Sequence, residues 1–434
     1  MSWNVFIIGQ DELSRQMLPH LRHREDYAFH ELLSFEEVVH ADEYPFERLV
    51  ATALAQLERF PGSVDAIVGY WDFPTSGLLP VLRREYGLPG PSLEAFLKCE
   101  HKYWSRLEQA KVIPACVPAF QAIDPFDERA VDSVEIDYPF WIKPIKAHSS
   151  HLGFLIENAD QLREALPTIR GGIGRFGEPF DEVMALAELP EEVAAISGHH
   201  CIAEAIISAG RQCTLEGYVQ NGEVHAEGII DSLRDETHAS VLLRYEYPST
   251  LPDALQERIL SNTRRFLSHI GYDDGPFNIE YFLDEENDRL WLLEINSRIS
   301  RSHAAIFQLV DGAPHMQVMV DTALGIAPRM PHREGDYAIA AKQMLRVFED
   351  GWVRRVPSQE EIREVEERFP GTLVHLNVKE GMQLSELQHQ DSFSFELGVL
   401  FTGAENREAL IERIEACRRM LPFEIDPLTE QESH

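Results

Sequence analysis

The chain is short of positive charge, of cysteine and of long apolar runs, and each shortage excludes something. Of 434 residues, 39 are Lys or Arg and 73 are Asp or Glu, a formal charge of −34. Nucleic-acid binders neutralise phosphates with clustered cations, so this balance excludes that class and disfavours an anionic membrane surface. The acids are dispersed and hydrophobic content is 44%, so the charge does not signal disorder. The five cysteines (Cys99, Cys116, Cys201, Cys213, Cys417) are odd in number and form no CxxC, which fits reduced thiols in a cytoplasm. Apolar runs such as residues 3–9 and 64–71 are strand-length, well short of the roughly 18–20 residues of a membrane span. The N-terminus has no basic segment or cleavage site and reads as a first strand. Gly9 lacks the second and third glycines of a dinucleotide fingerprint, and neither a Walker loop, an HExxH nor a GxSxG occurs. His148, His151, His199 and His200 have no acid or cysteine at zinc-like spacing.

What is present begins with a strand–helix rhythm. Residues 5–8 and 64–69 read as buried strands, followed by helix-like stretches 12–21 and 76–86, which predicts an α/β parallel sheet flanked by helices. A turn-rich segment at 87–92 marks a boundary. Beyond it lie a β-rich run at 138–145, an amphipathic helix at 158–166, and a segment from 171 to about 198 that its glycines mark as a loop-rich insert. Strands dominate the middle, and the tail from about 335 is mixed, with strands expected at 371–378 and 396–401.

Two hairpins can be read with register. Asn221-Gly222 is a strong two-residue turn signal, since both residues tolerate positive φ. It sets Glu216 opposite Glu227, where directly opposed acids destabilise unless a cation intervenes, so these are either a solvated strand face or part of a site. The second hairpin joins 277–283 to 290–296 across a charged tip, 284–289, that lacks the glycine of a calcium loop. A turn centred on Asn287 places Glu280 opposite Glu294. Alternation then puts Glu294, Asn296 and, if the extended form continues, Arg298 on one face, with Asn278 and Glu280 on the facing strand. Two carboxylates about 5 Å apart repel by roughly 3 kcal/mol at an effective dielectric of about 20. That repulsion would raise one pKa by about two units. A hard cation between them relieves it. Magnesium takes oxygen ligands, few carboxylates and substrate phosphates, and Arg298 suits an anionic phosphate or carboxylate. The metal–phosphate reading is the favoured one.

The anion side is read at Lys143, a lysine ending the apolar strand Phe140-Trp141-Ile142, where an ammonium is costly unless it reaches an anion. The following small-polar loop, with Lys146, His148, Ser149, Ser150, His151 and Gly153, can fold over phosphates through hydroxyls and backbone N–H groups. Lys102, in a helix-like stretch, is uninformative alone. No Ser-His-Asp arrangement stands out, so nucleophilic catalysis is unsupported.

Taken in order, these features resemble the ATP-grasp superfamily. The resemblance rests on the Lys102 helix, on the Lys143 strand and its loop, and on Cys201-Ile202-Ala203-Glu204-Ala205-Ile206-Ile207 with the hairpin after Gly210. Most specific is Asn278-Ile279-Glu280 followed by Glu294-Ile295-Asn296-Ser297-Arg298, since that family's metal strand commonly reads E-x-N-x-R. Residues 297–302 resemble the carbamoyl-phosphate-synthase branch, and the layout is similar to amino-acid ligases of the carboxylate–amine type. The resemblance implies a Rossmann-like pre-ATP-grasp domain over 1–98 and an ATP-grasp domain over 99–330. The latter would have a lid-like lobe at about 135–205 and a metal-binding lobe at about 206–330, with a small αβ domain over 331–434. It implies ATP with Mg2+ or Mn2+ as cofactors. Lys102, Lys143, Ser149 and Ser150 would meet the phosphates, and Glu204, Ala205, Ile206 and Ile207 would be the hinge receiving adenine. Glu280, Glu294 and Asn296 would hold metal, with Glu280 and Glu294 also facing the nucleotide. Arg298 and Lys143 would act on the transferring phosphoryl group.

The activity so implied is ADP-forming ligation: a carboxylate becomes an acyl phosphate and is joined to an amine, on amino-acid or peptide-like substrates. A bicarbonate-using carboxylase or carbamoyl-phosphate-type enzyme is the alternative, and a non-catalytic ATP-binding regulator is the reading from another class. Partners would be small molecules, with a homodimer as a general expectation. Two departures stand out: the loop after Lys143 has one glycine where relatives have several, and Gln212 stands where an acid is common. Residues 234–252, with Arg244, Tyr245 and Tyr247, would line the acceptor site, and 301–303 would bind a carboxylate.

Overall fold

A computed structural model describes residues 2–147, 151–207, 210–238, 241–387 and 393–428. Packing divides the chain into two compact units. The first comprises residues 1–227, 251–301 and 316–329, and the second 228–250, 302–315 and 330–434.

The first unit opens with the apolar strand Trp3–Ile8, which pairs in parallel with Tyr27–Leu32 on one side and Ala66–Val68 on the other. The expected parallel sheet is therefore present, and Phe46–Arg59 and Thr75–Tyr86 are among its helices. The first helix is shorter than its pattern suggested. It covers Glu12–Met17, capped by Asp11, and passes into a 3-10 turn at Leu18–His20 because Pro19 cannot continue the ladder. The Thr75–Tyr86 helix stops at Gly87, which takes the left-handed conformation a helix C-terminus favours.

An antiparallel sheet follows, in the order Phe120–Ile123, Cys201–Ala205, Phe140–Pro144, Phe154–Ile156. The stretch read as a loop-rich insert is helical instead, with Ala159–Gly172, Gly174–Met184 and Glu191–Ala194. Phe176, Phe180 and Val183 recur at helical spacing and join the core of Leu78, Phe96 and Trp104. Its glycines answer to packing. A Cβ on Gly177 would lie 2.7 Å from the Gly198 carbonyl oxygen, and one on Gly198 would lie 2.5 Å from that of Gly177. Arg211–Gln220, Gly275–Asp284 and Arg289–Asn296 complete the unit as antiparallel neighbours. Asn221 and Gly222 both have positive φ, as the hairpin reading required.

In the second unit, the end of Glu223–Arg234 pairs with Leu242–Tyr247, and Ile339–Val347, Phe395–Ala404 and Leu373–Leu376 continue the antiparallel order. Phe395–Ala404 contains the strand expected at 396–401, and Leu373–Leu376 lies within the one expected at 371–378. Helices Gln359–Arg368 and Arg407–Met420 close this layer through Val365, Leu400, Leu410, Ile414 and Cys417. Among the described residues, no helix is long and apolar enough to cross a membrane, and all five cysteines are buried free thiols.

Candidate active site

The site is built on the first unit's central hairpin. Gly275–Asp284 and Arg289–Asn296 pair so that Asn278 faces Asn296 and Glu280 faces Glu294, as read. The route to that register differs, however. Near the turn Asp284 pairs with Arg289, offset from a turn centred on Asn287, and a bulge restores the register: Tyr281 pairs with Leu292, leaving Leu293 as the extra residue. Arg106, on the helix Lys102–Val112, donates Nη1 to the Leu292 carbonyl at 2.7 Å and Nη2 to the Leu293 carbonyl at 3.0 Å. The guanidinium thus satisfies the carbonyls that the irregular ladder presents.

Around the paired acids the polar groups are ordered one by one. Gln212 donates to Glu280 at 2.7 Å, which gives that unusual glutamine a partner. Asn296 donates to the Asn278 Oδ1 at 3.1 Å, and Asn278 donates to Glu216 at 2.6 Å. Glu216 also accepts from the Ser300 backbone N–H at 3.2 Å and is fully buried, so it is no solvated strand face. The expectation that repulsion would raise a carboxyl pKa fails at Glu294. Burial would raise it, but the nearby Lys102, Lys143 and Lys146 outweigh burial and hold it below the usual carboxylate range.

The lysines converge on those acids. Lys102, at the start of its helix, places Nζ 3.3 Å from Glu294 and donates to the Ala147 carbonyl at 2.9 Å. Burial lowers its pKa, with Glu294 opposing. His101 fixes the helix entry. Its Nδ1 accepts from the Trp104 N–H at 3.1 Å while its other ring nitrogen bonds the Ile196 carbonyl at 2.9 Å, and burial lowers its pKa to about 4. Lys143 lies 2.7 Å from Glu204, which is also 2.5 Å from Arg106 Nε. Burial would raise the Glu204 carboxyl, but the two cations dominate and bring it down to about 2. Lys146 is buried and ion-paired with Glu100. His148, Ser149 and Ser150 lie outside the described residues.

Ala205 ends its strand, donating to the Ala119 carbonyl at 2.9 Å, and beyond it Ile206 is 42% exposed, an apolar surface beside a charged cluster. Arg298 lies 3.0 Å from Asp72 through Nε. Arg301 is paired with Asp11 and lies over the Trp71 ring at 5.0 Å. Arg244, Tyr245 and Tyr247, expected at an acceptor site, and His303, expected to help bind a carboxylate, belong to the second unit. There Arg244 pairs with Glu246 at 2.7 Å, Tyr245 meets His303 edge-on at 4.6 Å, and Tyr247 donates to Asp311 at 2.8 Å.

Sequence reasoning missed Arg106, Asp72, Glu100 and Ser297. Arg106 had a signal, sitting four residues after Lys102 and so on the same helix face. Glu100 accepts from the Ser297 N–H and hydroxyl at 3.4 and 3.2 Å across a separation only the fold closes.

As for fit to a hard cation, two carboxylates and an amide oxygen are all hard ligands, and Gln212 and Asn278 orient two of the three. Among the described residues no cluster of three or more His, Cys, Asp or Glu is placed to hold a metal, and Mg2+ commonly takes one or two protein carboxylates with waters and substrate phosphates completing its shell.

Comparison with known proteins gives a family-model match over part of the chain and a shared fold over most of it. Residues 230–329 match the family model described as the carbamoyl-phosphate synthase L chain, ATP binding domain. Over 138 residues the chain is 28% identical to a carbamoyl phosphate synthase large chain, C-terminal section, from Methanopyrus kandleri, covering 31% of this chain and 25% of that one. The chain thus spans about a quarter of the length of that relative. An L-amino acid ligase from Bacillus licheniformis superposes with a TM-score of 0.69 at 16% identity, covering 98% of this chain and 99% of the other. A biotin carboxylase from Campylobacter jejuni does so at 0.62 and 16% identity, covering 97% and 92%. Over nearly its whole length the chain therefore has the fold of these solved structures, and residues 230–329 carry the family-model match.

Proposed function

We propose that this chain is an ATP- and Mg2+-dependent ligase that activates a carboxylate as an acyl phosphate and joins it to an amine. The reading rests above all on one observation: Glu280 and Glu294 stand in register while Lys102 approaches Glu294 and Lys143 lies beside it through Glu204. Carboxylates that order a hard cation and lysines that meet phosphates are the two halves of a phosphoryl-transfer site.

In this reading Lys102 and Lys143 bind the ATP phosphates, and the charge they now share with Glu294 and Glu204 keeps both ammonium groups oriented before nucleotide enters. Ala205, Ile206 and Ile207 receive the adenine ring, with Ile206 supplying apolar surface and Glu204 holding Lys143 in place. Glu280, Glu294 and Asn296 hold Mg2+, which when bound neutralises phosphate charge that would otherwise repel the acids. Arg298 faces the γ-phosphoryl group and the carboxylate oxygen that attacks it. That oxygen forms the new O–P bond as the bridge to ADP breaks. The amine then attacks the carbonyl carbon, forming C–N and expelling phosphate, and its proton passes to water. Such chemistry is positioning and electrostatic stabilisation. Ser149 and Ser150 are assigned to the phosphates on the resemblance alone.

The test is an inorganic-phosphate release screen of amino acids in pairs with ATP and Mg2+. At least one pair should release phosphate and ADP in equal amounts, and absence of ADP with every acid–amine pair would overturn the reading. The match to the carbamoyl-phosphate synthase family model favours a second reading, in which bicarbonate is the phosphoryl acceptor. ADP formation that depends on bicarbonate and needs no amine would select it.

A further inference from the structure

The arginine assigned to the phosphoryl group is held by a residue remote in sequence. Arg298 directs both Nε, at 3.0 Å, and Nη2, at 2.5 Å, to the same Oδ1 of Asp72, and Nη1 bonds the Ile299 carbonyl at 3.2 Å. Both side chains are partly buried, Arg298 at 13% exposure and Asp72 at 31%. Asp72 follows the Ala66–Val68 strand, in the turn that also carries Tyr70 and Trp71. Tyr70 bonds Asp11 at 3.0 Å, Asp11 pairs with Arg301, and Trp71 lies under the Arg301 guanidinium. The segment from Arg298 to Arg301 is therefore tied at both ends to one turn and its neighbour.

We propose that Asp72 is the positioning residue for Arg298, an inference that rests on the ligase reading of the site. A guanidinium has five N–H donors in a fixed plane. Three of those N–H groups are engaged by Asp72 and Ile299, which fixes the plane and leaves two to meet an incoming phosphoryl oxygen. A free arginine would sample several rotamers, and a preset one stabilises developing charge without reorganising as the reaction proceeds. Glu100 and Glu216 add negative charge around the same guanidinium without contacting it in the way Asp72 does. Through Arg298, Asp72 thus gives the parallel-sheet part of the chain an indirect role in the transfer step.

Two measurements on the full chain test this. In an NMR spectrum of arginine side chains, the Arg298 Nε–H resonance is identified by its loss in Arg298→Lys. Asp72→Asn should shift it upfield and speed its exchange with water at least about tenfold. A resonance unmoved by Asp72→Asn would overturn the proposal. The second measurement is steady-state kinetics on the acid–amine pair found by the screen. Asp72→Asn should lower kcat about tenfold or more and leave the KM for ATP within about twofold, while adding it to Arg298→Lys should cost nothing further. Losses that multiply in the double variant would mean that Asp72 acts independently of Arg298, and would overturn positioning. If wild-type protein turns over no pair, the ligase reading fails, while the resonance still decides whether Asp72 sets the arginine.

Discussion

Replacing Glu204 by Gln should destabilise the protein by about 3 kcal/mol at pH 7. Glu204 lies between Arg106 Nε at 2.5 Å and Lys143 Nζ at 2.7 Å, and all three side chains are largely removed from water. Its carboxyl is lowered from an ordinary 4.5 to about 2, a difference of two to three units. At about 1.4 kcal/mol per unit this is roughly 3 kcal/mol of preference for the charged form in the folded state. Removing one partner of a buried ion pair independently gives about 3–5 kcal/mol, because the remaining cations lose their counter-charge. The sign follows from linkage. The folded pKa lies below the unfolded one, so the contribution is complete above about pH 4.5 and is lost as pH falls toward about 2. Urea unfolding of wild type and Glu204→Gln at neutral pH and at several acidic values is the assay. The gap should be full at neutral pH and narrow steadily below about pH 4.5. A variant within about 1 kcal/mol of wild type at pH 7, or a gap that does not change with acidification, would refute the reasoning.

Three further outcomes are expected. Glu294→Ala should reduce ATP turnover at least about a hundredfold in the phosphate-release assay, and turnover at the wild-type level would sink the metal–phosphate assignment. His101 is buried neutral with a pKa of about 4. Protonation of the unfolded chain should therefore erode stability as pH falls from about 6.5 to about 4, by roughly 3 kcal/mol, and His101→Asn, which retains a capping group, should flatten that slope in urea titrations. Gly198→Ala should cost about 2–3 kcal/mol, since its Cβ would meet Gly177 backbone at 2.5 Å. Gly222→Ala, with open space but positive φ, should cost about 1 kcal/mol, and equal melting temperatures for the two variants would contradict the close-approach argument.

Periodicity and turn chemistry carried much of the architecture. The alternating first hundred residues specify a parallel sheet because buried strands and amphipathic helices leave few other arrangements, and Asn221-Gly222 specifies its turn because both positions need positive φ. The segment after Gly171 misled because glycine was read as flexibility, whereas Gly177 and Gly198 serve to bring backbones together, a requirement set by another segment. The hairpin shows the same division. Alternation placed Glu294 and Asn296 on one face, but the bulge at Leu293 that delivers Glu294 opposite Glu280 has its carbonyls met by Arg106, nearly two hundred residues away.

Residue type and spacing alone supplied the chemical inventory: carboxylates and an amide that are hard oxygen donors, a lysine ending an apolar strand, an arginine two residues beyond Asn296, and too little positive charge for a polyanionic partner. Such features are local, because residue type and spacing along a strand or helix are enough to specify them. Which charge offsets which is set by the three-dimensional arrangement. Repulsion between Glu280 and Glu294 could be anticipated from their register, but the lysines that lower Glu294, the Arg106–Glu204–Lys143 cluster and the hold of Asp72 on Arg298 arise between segments far apart in the chain. Electrostatic energies depend on distance and burial in space, and neither is encoded at any single position.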